Sequence, residues 1–169
     1  MNVQYINPFV AATVSVFSKM LGCTLSRREL RLKSQHRPEY EVSGVIGLSG
    51  RAAGTVVLSL SRDVALNGAA ALLGERPETL GSDVSDAVGE LTNIIAGAAK
   101  AQLAEWEMSV SLPTVITGRN HRINFPSGAA PICVDFDSPW GPLCLEVSLV
   151  ESDAAPRSRV PLAAAGVAS

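Results

Sequence analysis

Asp86, Glu90 and Asn93 lie four and three residues apart in the segment "DAVGELTNIIAG", residues 86 to 97. In a helix those separations place all three on one stripe, with Glu90 and Asn93 as neighbours. At about 100° per residue, Val84, Val88, Leu91, Ile95 and Ala98 gather on the other side as a core face. Gly89, Gly97 and Lys100 fall on the polar side. Glycine inside a helix costs about 1 kcal/mol relative to alanine, so two of them there do not serve helix formation. They leave room for another surface to approach the backbone. A carboxylate and a carboxamide flanked by such clearance form a docking point for something cationic and polar. Two plainer readings use the same residues. Acids and amides are ordinary on a solvent-facing stripe, and glycines also let this helix cross another closely.

The surrounding elements must hold this stripe in place. Ser82 or Asp83 is expected to cap the helix, which runs to about Leu103. Earlier, "NPFVAATVSVFSKMLG" opens with Asn7 at a cap position and Pro8 in the first turn, and Gly22 closes it. A strand is expected near residues 24 to 34. "YEVSGVIGLSG" and "GTVVLSLS" alternate apolar and polar residues as a β-hairpin does. "SRDVALNGAAALLG" reads as a short helix, capped by Ser61 or Asp63 and ended by Gly74. "MSVSLPTVITG" reads as a strand in which Pro113 demands a sheet edge or an irregular pairing. "PICVDFD" and "PLCLEVSLV" make a last pair, turned by "SPWG".

These elements predict an α+β fold with two long helices and a shorter one on a largely antiparallel sheet. A weak helix-strand repeat is also legible. Superposing the starts of the two long helices puts Asn7 over Asp86, Ala11 over Glu90 and Val14 over Asn93.

Composition narrows the function classes. The chain has 169 residues, 47% of them hydrophobic, and a formal net charge of −2. That suits one domain of ordinary size, assigned to residues 1–150, with a small-residue tail over 151–169 that offers little to pack. The densest basic segment, "SRRELRLKSQHR", carries its charges at strand spacing and reads as an exposed strand face, so no nucleic-acid partner is expected. The first twenty residues lack a basic start and are interrupted by Asn-Pro, unlike a secretion signal. No apolar run reaches the roughly 20 residues needed to span a membrane, so no membrane insertion is expected. Cys23, Cys133 and Cys144 fit neither a CxxC metal pattern nor a disulfide framework, which predicts free thiols in a reducing cytoplasm.

Asp86-x3-Glu90-x2-Asn93 followed by Gly97 resembles the signature of the CheC/CheX/FliY family of chemotaxis phosphatases. "NPFVAATVSVFSKMLG" looks like the opening helix of CheX, and "SLPTVITGRNH" like the strand and turn after its catalytic helix. The resemblance covers roughly residues 1 to 150. A single copy of the motif is CheX-like, because CheC typically carries two and Ala11 and Val14 replace the acid and amide here.

The resemblance implies hydrolysis of the aspartyl phosphate on a CheY-like receiver domain. Asn93 and Glu90 would be the catalytic pair, Asn93 positioning the attacking water and Glu90 pairing with the receiver's active-site lysine. Gly89 and Gly97 would leave clearance for the receiver, and Asp86 would either touch its edge or support the helix start. The receiver would supply Mg²⁺, so no cofactor of the chain's own is expected. A homodimer through sheet edges is implied as well. The alternative is a non-catalytic module of the same fold that binds receivers or flagellar-switch components.

Other candidates carry plainer readings. Asp135 and Asp137 share one strand face and could reach a cation, but without further ligands they read as acids on a wet face. His36 and His121 read as solvated loop residues. Trp106 and Trp140 read as gap fillers at element ends.

Overall fold

The computed structural model describes residues 3–34, 38–125 and 130–152. The first long helix, α1, spans Asn7–Leu21, with Pro8 in its first turn and Gly22 closing it in the left-handed region at φ 63°. Asn7 is itself helical, and Ile6 occupies the cap position without a side-chain cap bond. β1 spans Ser26–Leu32, β2 Val42–Ser49, β3 Ala52–Leu60, and α2 Arg62–Leu73. The helix carrying the polar stripe, α3, spans Ser82–Gln102. Its cap position falls on the extended Gly81 rather than on Ser82 or Asp83.

The expected strand over residues 108 to 118 divides into β4, Ser109–Val110, and β5, Thr114–Thr117. Both pair with β2, and between them Ser111 keeps contact by exchanging bonds with Gly47 through its N–H and its hydroxyl. Pro113, which has no N–H to donate, lies in the break. The last hairpin is β6, Ile132–Ser138, and β7, Gly141–Glu151. The tail expected from residue 151 lies outside the described residues beyond Ser152, as does His36.

The seven strands form one antiparallel sheet in the order β1-β6-β7-β3-β2-β4, with β5 also on β2. This order makes the internal repeat concrete. Helix α1 is followed by β1, β2 and β3; helix α3 is followed by the β4–β5 edge, β6 and β7. Each half sends its first strand across to pair with the other half's hairpin: β1 joins β6, and β5 joins β2. Read from either end, the sheet has the same plan. One hydrogen bond also repeats at a spacing of 79 residues: Thr13 donates to the Phe9 carbonyl and Thr92 to the Val88 carbonyl, both buried.

The helices cover one sheet face. Val42, Ile46, Val56, Leu58, Leu60, Ile132, Val134, Phe136, Leu143, Leu145 and Val147 meet Phe9, Phe17, Val84, Val88, Leu91 and Ile95 in a single core. The opposite face is buried where a wet one was expected: Cys133, Cys144, Glu146 and Ser148 are fully covered. The chain after β5 crosses this face. His121 Nε2 lies 3.0 Å from the Ser43 hydroxyl, and Phe125 lies beside Lys33.

Candidate functional site

Helix α3 packs against α1, α2, β2 and β5. Packing on several sides gives it a buried arc of about 200° at 100° per residue, wider than a single stripe. Val84, Ala87, Val88, Leu91, Thr92, Ile95, Ala96 and Ala99 lie within that arc. The remaining ridge carries Asp86, Glu90, Asn93 and Gly97, all exposed. Asp86, Glu90 and Asn93 have no hydrogen-bond or ion-pair partner among the described residues. Glu90 and Asn93, one turn apart, can therefore engage a group presented from outside.

Two seats fix this ridge. Thr92, immediately before Asn93, lies over Gly44 of β2. A Cβ at Gly44 would collide with the Thr92 hydroxyl and come within 3.0 Å of the Thr92 Cβ. That hydroxyl donates to the Val88 carbonyl at 2.7 Å, which sets the threonine's rotamer. The second seat corrects the expectation for Gly89. This glycine is buried, and a Cβ there would meet Val115 Cγ2 at 3.4 Å and Pro113 Cγ at 3.5 Å. Its clearance is filled by the chain's own strand edge, so the close-crossing reading describes it better than the partner-facing one. Gly97 stands in the open, with nothing within 4 Å of its Cβ position. Ala98, expected on the core face, is exposed, and Ala99 is buried.

Asp86 and Glu90 place two exposed carboxylates on the ridge. Among the described residues the one group of three or more metal-ligating side chains is elsewhere, at Cys133, Cys144 and Glu146.

Residues 42–137 match the family described as chemotaxis phosphatase CheX. The chain belongs to the CheX family. It is similar to the CheY-P phosphatase CheX of Thermotoga maritima, with 25% identity over 126 residues, 73% of this chain and 81% of the relative. The solved CheC-like superfamily protein from Shewanella sp. PV-4 superposes with a TM-score of 0.81 at 33% identity, covering 89% of this chain and 99% of the other. A CheX–CheY–BeF3–Mg²⁺ complex from Borrelia burgdorferi superposes with a TM-score of 0.75 at 26% identity, covering 89% of this chain and 100% of the other.

Other polar candidates in this CheX-family chain are held by neighbours. Asp135 receives Arg31 Nε at 3.0 Å, and Arg31 also reaches Glu39. Asp137 faces Arg28 at 3.4 Å. The basic strand therefore spends its charge on β6 and Glu39. Those two carboxylates hold the Arg31 guanidinium further above its already high range. Lys33, expected on an exposed strand face, is buried against Glu146. His121, expected to be solvated, ties Gly118 and Ser43 together through its two ring nitrogens. Trp106 closes the end of α3 by stacking edge-on with Tyr5 at 4.6 Å. No described helix is long and apolar enough to cross a membrane.

The seats were the part that motif reading missed. Thr92, Gly44 and Pro113 carry no chemistry, and their roles depend on contacts between distant segments. The local signals were two glycines: Gly44 in a strand interior, which implies close approach by another element, and Gly89 in a helix interior.

Proposed function

We propose that this chain hydrolyses the aspartyl phosphate of a CheY-like receiver domain by inserting the α3 ridge into the receiver's active site. The observation that carries the reading is the pair Glu90 and Asn93, exposed, unpartnered and adjacent on a helix seated at Thr92–Gly44 and Gly89–Pro113. The similarity to a CheY-P phosphatase, and to a CheX solved with CheY, BeF3 and Mg²⁺, supports it.

An acyl phosphate already has a good leaving group, so placing a water for in-line attack is a large part of the task. The Asn93 carboxamide suits that work: its oxygen accepts from the water and its NH₂ donates. The water oxygen bonds to phosphorus as the bond to the aspartyl oxygen breaks. Inorganic phosphate departs and the receiver's carboxylate is restored. An aspartate at 93 would bring like charge toward the phosphoryl group. Glu90 pairs with the receiver's active-site lysine and holds the helix in register. Asp86 borders this contact, and Gly97 leaves clearance for a receiver loop. Mg²⁺ belongs to the receiver. A cytoplasmic location and a homodimer through a sheet edge accompany the reading, since open antiparallel edges need covering.

Phosphate release from a phosphorylated receiver, followed with and without the chain, is the test. Catalytic amounts should release phosphate over many turnovers. Binding to the receiver without faster release would make the chain a docking module instead.

A further inference from the structure

On the sheet face away from α3, the β6–β7 register places three ligating side chains together. Cys133 stands opposite Glu146, and Cys144 lies two residues before Glu146 on the same face of β7. Their ligating atoms lie within 4.8 Å of one another. All three residues are 0% exposed. Glu146 gives one carboxylate oxygen to the Lys33 ammonium at 2.5 Å, but its Oε2 is buried with no hydrogen-bond partner among the described residues. A buried carboxylate oxygen left without a partner is costly. Beside two thiols it offers a third ligating atom.

We infer that Cys133, Cys144 and Glu146 form a buried site for one divalent cation of the zinc class. Tetrahedral zinc, with bonds of about 2.0–2.3 Å, holds neighbouring S and O ligands about 3.6–3.8 Å apart. Rotamer adjustments of about 1 Å would close the observed set. The two sulfurs select a soft ion over Mg²⁺ or Ca²⁺. Charge selects a divalent one: Lys33 already neutralises Glu146, so a divalent ion balances two thiolates and leaves the loaded site neutral. A monovalent ion on two thiolates would leave a buried net charge. Binding at two thiolates releases the thiol protons. The spacing of eleven residues between the cysteines hides the site from motif reading; the hairpin register creates it.

The test is titration of the reduced full chain with Co²⁺, then displacement by Zn²⁺. A thiolate-to-cobalt charge-transfer band should saturate at one equivalent per chain. Cys133→Ala and Cys144→Ala should abolish it. Cys23→Ala should not, since that thiol lies elsewhere, beside Ser138. Native mass spectrometry of the unmodified chain with Zn²⁺ gives a second readout that does not depend on variants folding: one zinc gained and two protons lost. The proposal is overturned if the folded wild type in excess Co²⁺ shows no such band, if the band depends on Cys23, or if bound zinc leaves both thiol protons in place.

Discussion

Thr92 rests directly on Gly44, so the residue before Asn93 is held by a contact that leaves no room for even a methyl group. This joins the packing of the fold to the placement of the proposed catalytic amide. Gly44→Ala should displace α3 locally and cost about 1–3 kcal/mol of stability, as overpacking does. Turnover should fall by more than the lost stability explains, because a misplacement of about 1 Å at a positioning group costs about 100-fold. Denaturant titration and phosphate release on the same preparation separate the two effects. Adding Thr92→Ala should return part of both losses. Full activity in a destabilised Gly44→Ala chain would dissociate this seat from catalysis.

Asn93→Ala should leave receiver binding near wild type while cutting phosphate release by about 100-fold, the scale of a lost positioning contact. The amide is exposed and unbonded among the described residues, so its removal should not disturb the fold. Near-normal turnover in this variant would remove Asn93 from the mechanism.

Glu90→Ala should weaken both binding and turnover. A hydrogen bond to a charged partner contributes about 1.5–3 kcal/mol, and partial exposure brings the expected loss of affinity down to about tenfold. Pairing with a cation should also make wild-type binding more salt-sensitive than that of the variant. Equal affinity and equal salt dependence would exclude Glu90 from docking.

Gly97→Ala pits helix stability against access. Alanine is favoured over glycine in a helix interior by about 1 kcal/mol, and at Gly97 a Cβ meets nothing within 4 Å. The free chain should therefore become more stable. If the gap serves a receiver loop, affinity should fall at the same time. A variant that is both more stable and equally tight in receiver binding would leave this glycine without a docking role.

Much of the fold was legible because its signals are local. Period-3.6 patterning located the stripe helix, cap residues with Gly22 and Gly74 located the other two, and Pro113 announced the break between β4 and β5. The ridge was legible for the same reason: Asp86, Glu90, Asn93 and Gly97 are exposed as their spacing implies. The failures share another cause. Gly89 looked exposed because the wheel knows one helix and not the strand edge packed on its flank. Lys33 looked like an exposed-face charge because alternation along a strand does not report the chain that later crosses that face. Both errors arise from contacts between segments far apart in sequence.

The buried pair itself makes the last prediction. Removing Lys33 would strand the charge of the fully buried Glu146, which costs about 3–5 kcal/mol when one partner of a buried pair is lost. Burial already pushes the Glu146 carboxyl up, and Lys33 opposes that rise, with Arg31 lowering it and Glu39 raising it from further away. Cys133 and Cys144 border the same carboxylate. In Lys33→Met the opposing cation is gone, so the folded state should hold the Glu146 proton more tightly than the unfolded chain does. A group with a raised folded pKa loses its stabilising effect as pH rises through that range. Stability of Lys33→Met should therefore fall more steeply than that of wild type as pH climbs above the ordinary carboxylate range. Glu146→Gln in the same chain should flatten the profile, and Lys33→Met with Glu146→Met should recover most of the lost stability, since apolar replacement of a buried pair is often neutral. Thermal melts of the four chains across a pH series check this, and parallel pH profiles for wild type and Lys33→Met would contradict it.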